Sequence, residues 1–259
     1  MALSDNLISW WSLEEASGTR NDAHGTNHLT DINTVASATG KVGTAADFER
    51  GNLEYLTVAS NSTLQTGDIA FSFGCWVNFE SVSNQQVIIG KWAGGINSLE
   101  YLIYFATTDS KVRFALTSSG TVGTYVELLT AATVSAGSWI FLVAVHDPVG
   151  NQMLLYRNAG TATTLSHSAG VYSGAAAFQL GSNDGSVAEN AYDGLIDEAF
   201  LFKRVLSAAE ITELYNSGNG RDYAYVTGAA AGQPTVKRMG GVRFAHSLSG
   251  LNSPAMRVW

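Results

Sequence analysis

The chain has 259 residues, of which 46% are hydrophobic and 14% charged, with a formal net charge of -8 and a single cysteine. That composition excludes disorder of the whole chain and an internal disulfide, and no apolar run reaches the ~18 residues that a membrane-crossing helix requires. The charge is uneven: all 22 acidic residues lie at or before Asp222, whereas the part from Tyr223 onward carries Lys237, Arg238, Arg243 and Arg257 and no acid. An acidic body repels phosphate backbones, which argues against a nucleic-acid partner. The basic end is expected to dock on an acidic surface, its own or a neighbour's. The opening residues, Met1 to Asn6, lack the basic region and long apolar core of a secretion signal.

In chain order, Leu7 to Leu13 reads as a first strand with Trp10 and Trp11 on opposite faces, and residues 14–34 read as a polar loop. Val42–Phe48 and Tyr55–Val58 follow as strands. From Ile69 to Phe79, apolar residues fall at every second position (Ile69, Phe71, Phe73, Cys75, Val77, Phe79), the period of a strand with one face in a core. Cys75 is therefore expected to be a buried, inert thiol. Val87–Trp92, Leu99–Ala106, Lys111–Leu116, Tyr125–Leu129, Trp139–His146 and Met153–Arg157 continue a meander, with Asp147-Pro148-Val149-Gly150-Asn151 as a hairpin turn. Ala176–Gly181 is a further strand.

Leu195 to Phe202 reads as a buried strand interrupted by Asp197 and Glu198. Strand alternation places one of these carboxylates inward and the other outward. A helix is expected over Ser207–Asn216, opened by a capping box of Ser207 and Glu210 and stopped near Gly218. Residues 224–233 read as a linker. From Val236 to Trp259 the apolar residues have no period, which predicts an extended arm.

Several motifs recur in the order seen in laminin-G-like domains. They are Trp11-Ser12-Leu13-Glu14-Glu15; Gly40 to Phe48 leading into Glu54-Tyr55-Leu56; Phe71 to Val77; and Ser138 to Val145 with Met153 to Asn158. The last is Asp193-Gly194-Leu195-Ile196-Asp197-Glu198 followed by Leu206-Ser207-Ala208-Ala209-Glu210-Ile211. From about Leu7 to Tyr215 the chain resembles the laminin-G-like domain of the concanavalin A-like lectin/glucanase superfamily. The resemblance implies an all-β fold, a double-sheet jelly-roll sandwich with one short C-terminal helix over residues 1–223, and an extended C-terminal arm over 224–259. The arm resembles those of some phage structural proteins, with Arg238, Arg243, Phe244, Arg257 and Trp259 as its assembly residues.

The resemblance also implies a structural calcium ion, with Asp22 and Asp197 as carboxylate ligands and Asn27 among the oxygen donors. The residues themselves leave an alternative, in which Asp22 caps its own loop as an Asx turn and Asp197 accepts backbone N–H groups. His24 and His28 are too few for a zinc site. Catalysis is not expected. Glu14–Glu15 and Asp197–Glu198 are adjacent rather than same-face pairs, whereas retaining hydrolysis needs two carboxyls about 5–5.5 Å apart. His146, His167 and His246 have no nucleophile-elbow context.

Aromatics beside amides and acids suit sugar stacking and directional hydrogen bonding, which points to Trp92, Asn97, Glu100, Tyr101, Asn183 and Asp184 as glycan contacts. The alternative is that Trp92 and Tyr101 are core aromatics. The chain is accordingly expected to be a non-catalytic adhesion or recognition module. The expected place is extracellular or on a virion surface, as a phage decoration or fibre-type protein that assembles with itself or other virion subunits through the arm. A free-standing carbohydrate-binding lectin module and a sandwich-fold glycosidase are the competing readings.

Overall fold

A computed structural model describes residues 2–93, 95, 97–183 and 190–229. The strands are β1 (Leu7–Trp11), β2 (Thr30–Ile32), β3 (Ala36–Thr39), β4 (Thr44–Phe48), β5 (Tyr55–Val58), β6 (Phe71–Phe79), β7 (Gln86–Ala93) and β8 (Ser98–Ala106). They continue as β9 (Lys111–Thr117), β10 (Tyr125–Leu129), β11 (Trp139–Asp147), β12 (Gln152–Arg157), β13 (Thr163–Ser166), β14 (Phe178–Leu180) and β15 (Gly194–Phe202), followed by helices α1 (Ala208–Tyr215) and α2 (Tyr223–Val226). Two antiparallel sheets form: an eight-stranded one in the order β13-β12-β11-β6-β15-β4-β3, with β1 also on β15, and a seven-stranded one in the order β10-β9-β8-β7-β14-β5-β2. This is the expected all-β sandwich. The strands β2, β3 and β13 were not legible because their residues are exposed or half-buried and lack an apolar face.

The interior between the sheets takes the alternating residues of β6 (Phe71, Phe73, Cys75, Val77 and Phe79) together with Ile103, Phe105, Phe114 and Leu142 from neighbouring strands. Ile69 stands outside the strand and is 42% exposed. Burial raises the Cys75 thiol far above its ordinary value, so it stays protonated.

A second apolar layer covers the outer face of the eight-stranded sheet, where Trp10, Trp76, Phe141, Phe200 and Phe202 meet Leu206, Ile211 and Leu214 of the α1 segment. Trp11 packs inside, so the two tryptophans do take opposite faces. Helix α1 has the expected capping box, but its C-terminal turn is closed by Asn216 in the left-handed region (φ 49) rather than by Gly218. Helix α2 adds Val226, 3% exposed, to the outer layer. The packed body therefore extends past residue 223, to Val226 at least. No helix among the described residues is long and apolar enough to cross a membrane.

Candidate functional site

The outer face of the seven-stranded sheet carries a groove of about 310 Å³ lined by Gln85, Val87, Trp92, Leu102, Tyr104, Val122, Tyr125, Asn183 and Asn190. Strand register assembles it. Val87 lies opposite Tyr104, and Tyr104 opposite Arg113. Leu102 lies opposite Ala115, and Ala115 opposite Glu127. Gly90 faces Leu102 across the β7–β8 ladder. A Cβ there would come within 2.4 Å of the Tyr101 carbonyl oxygen, so glycine permits the close backbone approach under the floor. Trp92 and Tyr125 meet edge to face with ring centroids 5.8 Å apart, and Val122 projects at the rim, 79% exposed.

Behind the groove lies a polar network. The hydroxyls of Tyr104 and Tyr125 are 2.6 Å apart, and both contact Glu127 Oε2, with Tyr104 at 2.6 Å. Arg113 Nη1 donates to Glu127 Oε1, and Arg113 Nη2 donates to Asp109 Oδ2 at 3.0 Å and Thr108 Oγ1 at 3.1 Å. Burial and the hydrogen bond to Glu127 push the Tyr104 phenol up to about 12, and the same causes raise Tyr125. Both keep their protons at neutral pH. On the rim, Gln85 Nε2 donates to Asn190 Oδ1 at 3.1 Å, while Asn183 Oδ1 is buried and accepts no hydrogen bond among the described residues.

Of the residues expected to contact glycan, Trp92 and Asn183 line the groove. Glu100 and Tyr101 do not reach it, and their assignment is corrected: both are fully buried. The strand register shifts between Lys91 and Trp92. Glu100 there forms an internal ion pair with Lys91 at 2.7 Å, and the Tyr101 hydroxyl donates to the Leu64 carbonyl at 3.2 Å. Asn97 sits in the exposed β7–β8 turn with φ 51 and is absent from the groove lining. Asp184 and the arm residues Arg238, Arg243, Phe244, Arg257 and Trp259 lie outside the described residues. Tyr104, Tyr125 and Glu127 were missed. Their only sequence signal is that Tyr104 shares the phase of Leu102 in β8, and that Tyr125 and Glu127 share one phase in β10.

The residues expected to hold calcium are committed elsewhere. Asp22 Oδ1 accepts the backbone N–H groups of Trp10 (3.0 Å), His24 (3.0 Å) and Gly25 (2.9 Å), and Oδ2 accepts that of Asn27 (3.0 Å). A Cβ on residue 25 would fall 2.7 Å from Asp22 Oδ2, so this wrapping requires glycine. Asn27 Oδ1 accepts from Asn61 and Thr63, Nδ2 donates to Ser9, and its carbonyl accepts from Trp11 Nε1. Asp197 Oδ2 accepts from the backbone of Lys41 (2.7 Å) and Val42 (2.9 Å), and Oδ1 has no partner. Asp22 and Asn27 are thus engaged by the protein's own groups, as the capping alternative expects, whereas Asp197 is engaged through Oδ2 alone.

The expected opposition of Asp197 and Glu198 is also overturned. Glu198 adopts φ 46 where the register of β15 shifts. This bulge turns both carboxyls to the outer layer, Asp197 opposite Trp76 and Glu198 onto Trp10 Nε1. Burial raises Asp197 to about 7 and Glu198 well above its ordinary value.

At another corner, Glu49, Glu80 and Asp193 bring ligand oxygens within 4.8 Å of one another. Burial first, then neighbouring carboxylates, raise Glu49 and Glu80.

The concanavalin A-like lectin/glucanase family model with the laminin G description matches residues 50–212. No curated protein sequence matches the chain. Among solved structures, domain 4 of AbnA, a GH43 extracellular arabinanase from Geobacillus stearothermophilus, in complex with arabinotriose, is similar with TM-score 0.63 and 19% identity, covering 80% of this chain and 97% of that one. The binding domain of Paraclostridial Mosquitocidal Protein 1 is similar with TM-score 0.62 and 16% identity, covering 83% and 53%. A botulinum neurotoxin type C structure, whose cell entry depends on interaction with two ganglioside molecules, is similar with TM-score 0.63 and 14% identity, covering 83% and 52%. The chain thus spans about half the length of the toxin chains it resembles. The matched residues and the two-sheet architecture place the chain in the concanavalin A-like lectin/glucanase superfamily.

Proposed function

We propose that this chain is a non-catalytic carbohydrate-binding module whose ligand lies in the groove over the seven-stranded sheet. The observation that carries the reading is the pairing of two aromatic walls, Trp92 and Tyr125, with an amide rim of Gln85, Asn183 and Asn190. Aromatic faces cover the C–H patches of a sugar ring, and amides bond its hydroxyls directionally. Membership of a lectin family and the likeness to a domain solved with arabinotriose support it. Retention of neutral oligosaccharides, arabinotriose among them, by the full chain and its weakening in Trp92→Ala is the test. Binding undiminished by the substitution sinks the reading.

Within it, a place on a virion surface, anchored by residues 224–259, is the finer assignment favoured by the four unbalanced cations of that end. Light scattering is expected to show an oligomer that dissociates as salt screens the contact. A monomer at every salt and protein concentration overturns it.

A further inference from the structure

We propose that the groove selects uncharged, hydroxyl-rich glycans and excludes chains that carry carboxylate, sulfate or phosphate. The inference rests on the carbohydrate-binding reading and deepens it. Three observations lead to it.

No Lys, Arg or His is among the described lining residues. The guanidinium behind the groove, Arg113, is committed to Glu127 on one nitrogen and to Asp109 and Thr108 on the other. Arg50, whose Nη1 donates to the carbonyls of Gln85 (3.3 Å) and Ala191 (3.1 Å), is likewise tied to backbone at the rim. Among the described lining residues an anionic ligand therefore finds no cation to exchange for its lost hydration.

The second observation concerns hydrogen-bond polarity. Tyr104, Tyr125 and Glu127 Oε2 contact one another in a triangle, and the two phenols bring two protons to it. Whichever way these protons are shared, both are used inside the triangle. The phenol oxygens then have only lone pairs to offer. Asn183 Oδ1, buried and unbonded among the described residues, is a further acceptor. The aromatic wall thus offers its ligand acceptors, and the donors at the rim are uncharged amide N–H groups. Sugar hydroxyls donate; carboxylate, sulfate and phosphate groups only accept.

The third is electrostatic. The chain carries a net charge of -8, and its unbalanced cations lie beyond Tyr223. The field of the body adds to the local preference against anions.

The test is a calorimetric comparison of matched ligands on the full chain: galactan against galacturonan oligosaccharides, and lactose against sialyllactose. The neutral member of at least one pair is expected to bind, more tightly than its acidic partner by at least the order of tenfold. Equal or tighter binding of the acidic member overturns the inference and leaves the carbohydrate-binding reading standing. Failure of every ligand, neutral and acidic alike, overturns both. The cause is tested with Glu127→Gln, which removes one of the two carboxylates that occupy Arg113. The neutral-over-acidic ratio is expected to fall several-fold in that variant, with thermal stability as the check on its fold. An unchanged ratio in a folded variant overturns the electrostatic account.

Discussion

The two sheets present opposite outer faces. Over the eight-stranded sheet, Trp10, Trp76, Phe141 and Phe200 are sealed beneath α1, with Trp76 stacked on Tyr215 at 5.5 Å and Trp10 on Phe200 at 5.3 Å. Over the seven-stranded sheet, Trp92 and Tyr125 stand half-buried at an open groove with amides beside them. Both faces are aromatic, so aromatic content alone does not mark a binding site. The difference lies in what covers the rings.

Substitutions on the two faces should therefore separate stability from binding. The largest effect is expected for Trp76→Ala, which empties a sealed site and should cost about 3–5 kcal/mol in denaturant unfolding, leaving the ligand affinity of the folded fraction unchanged. A loss of affinity there would join the two faces. Asp22→Asn removes the charge that receives four N–H groups and should cost about 2–3 kcal/mol. That loss should be the same in chelator and in calcium, since the loop holds itself; a calcium-dependent loss would restore the metal reading. Trp92→Ala should weaken glycan binding by about tenfold with only a minor change in melting temperature.

A pH series sharpens the comparison from the sealed side. Burial raises Asp197 to about 7, raises Glu198 well above its ordinary value, and raises Glu100 to about 7. The fold holds protons on these groups at pH values where the unfolded chain has lost them. Their contribution is thus full at low pH and is lost as pH rises through about 7. His146, lowered chiefly by burial, acts in the opposite sense but only below its ordinary value. Melting temperature should accordingly fall between pH 6.5 and 8, and a rise over that window would show that the buried acids are paired by something else. The smallest effect is Ser207→Ala, which removes the α1 cap and should cost about 1 kcal/mol.

The core was legible in the sequence because alternation reports burial directly: Phe71 through Phe79 read as one inner face, and the Asp193-Gly194-Leu195-Ile196-Asp197-Glu198 stretch identified its strand. The candidate site was half legible. Trp92 and Asn183 were found, while Tyr104, Tyr125 and Glu127 come from strands separated in the chain. Alternation gives their phase but not whether that face is covered. Glu100 failed because it was chosen by residue type beside aromatics, which does not report burial. The Asp197–Glu198 pair lies where the strand register shifts, and strict period-two counting breaks at such a point.

The exit of the chain has its own consequence. The described body ends at Ala229, three residues past a helix seated on the eight-stranded sheet. That exit and the groove lie over opposite sheets, so copies held at Ala229 would present the groove away from their support. Many copies fixed this way would share one orientation. Their hold on a polysaccharide would then be set by avidity, multiplying a weak single contact across a surface.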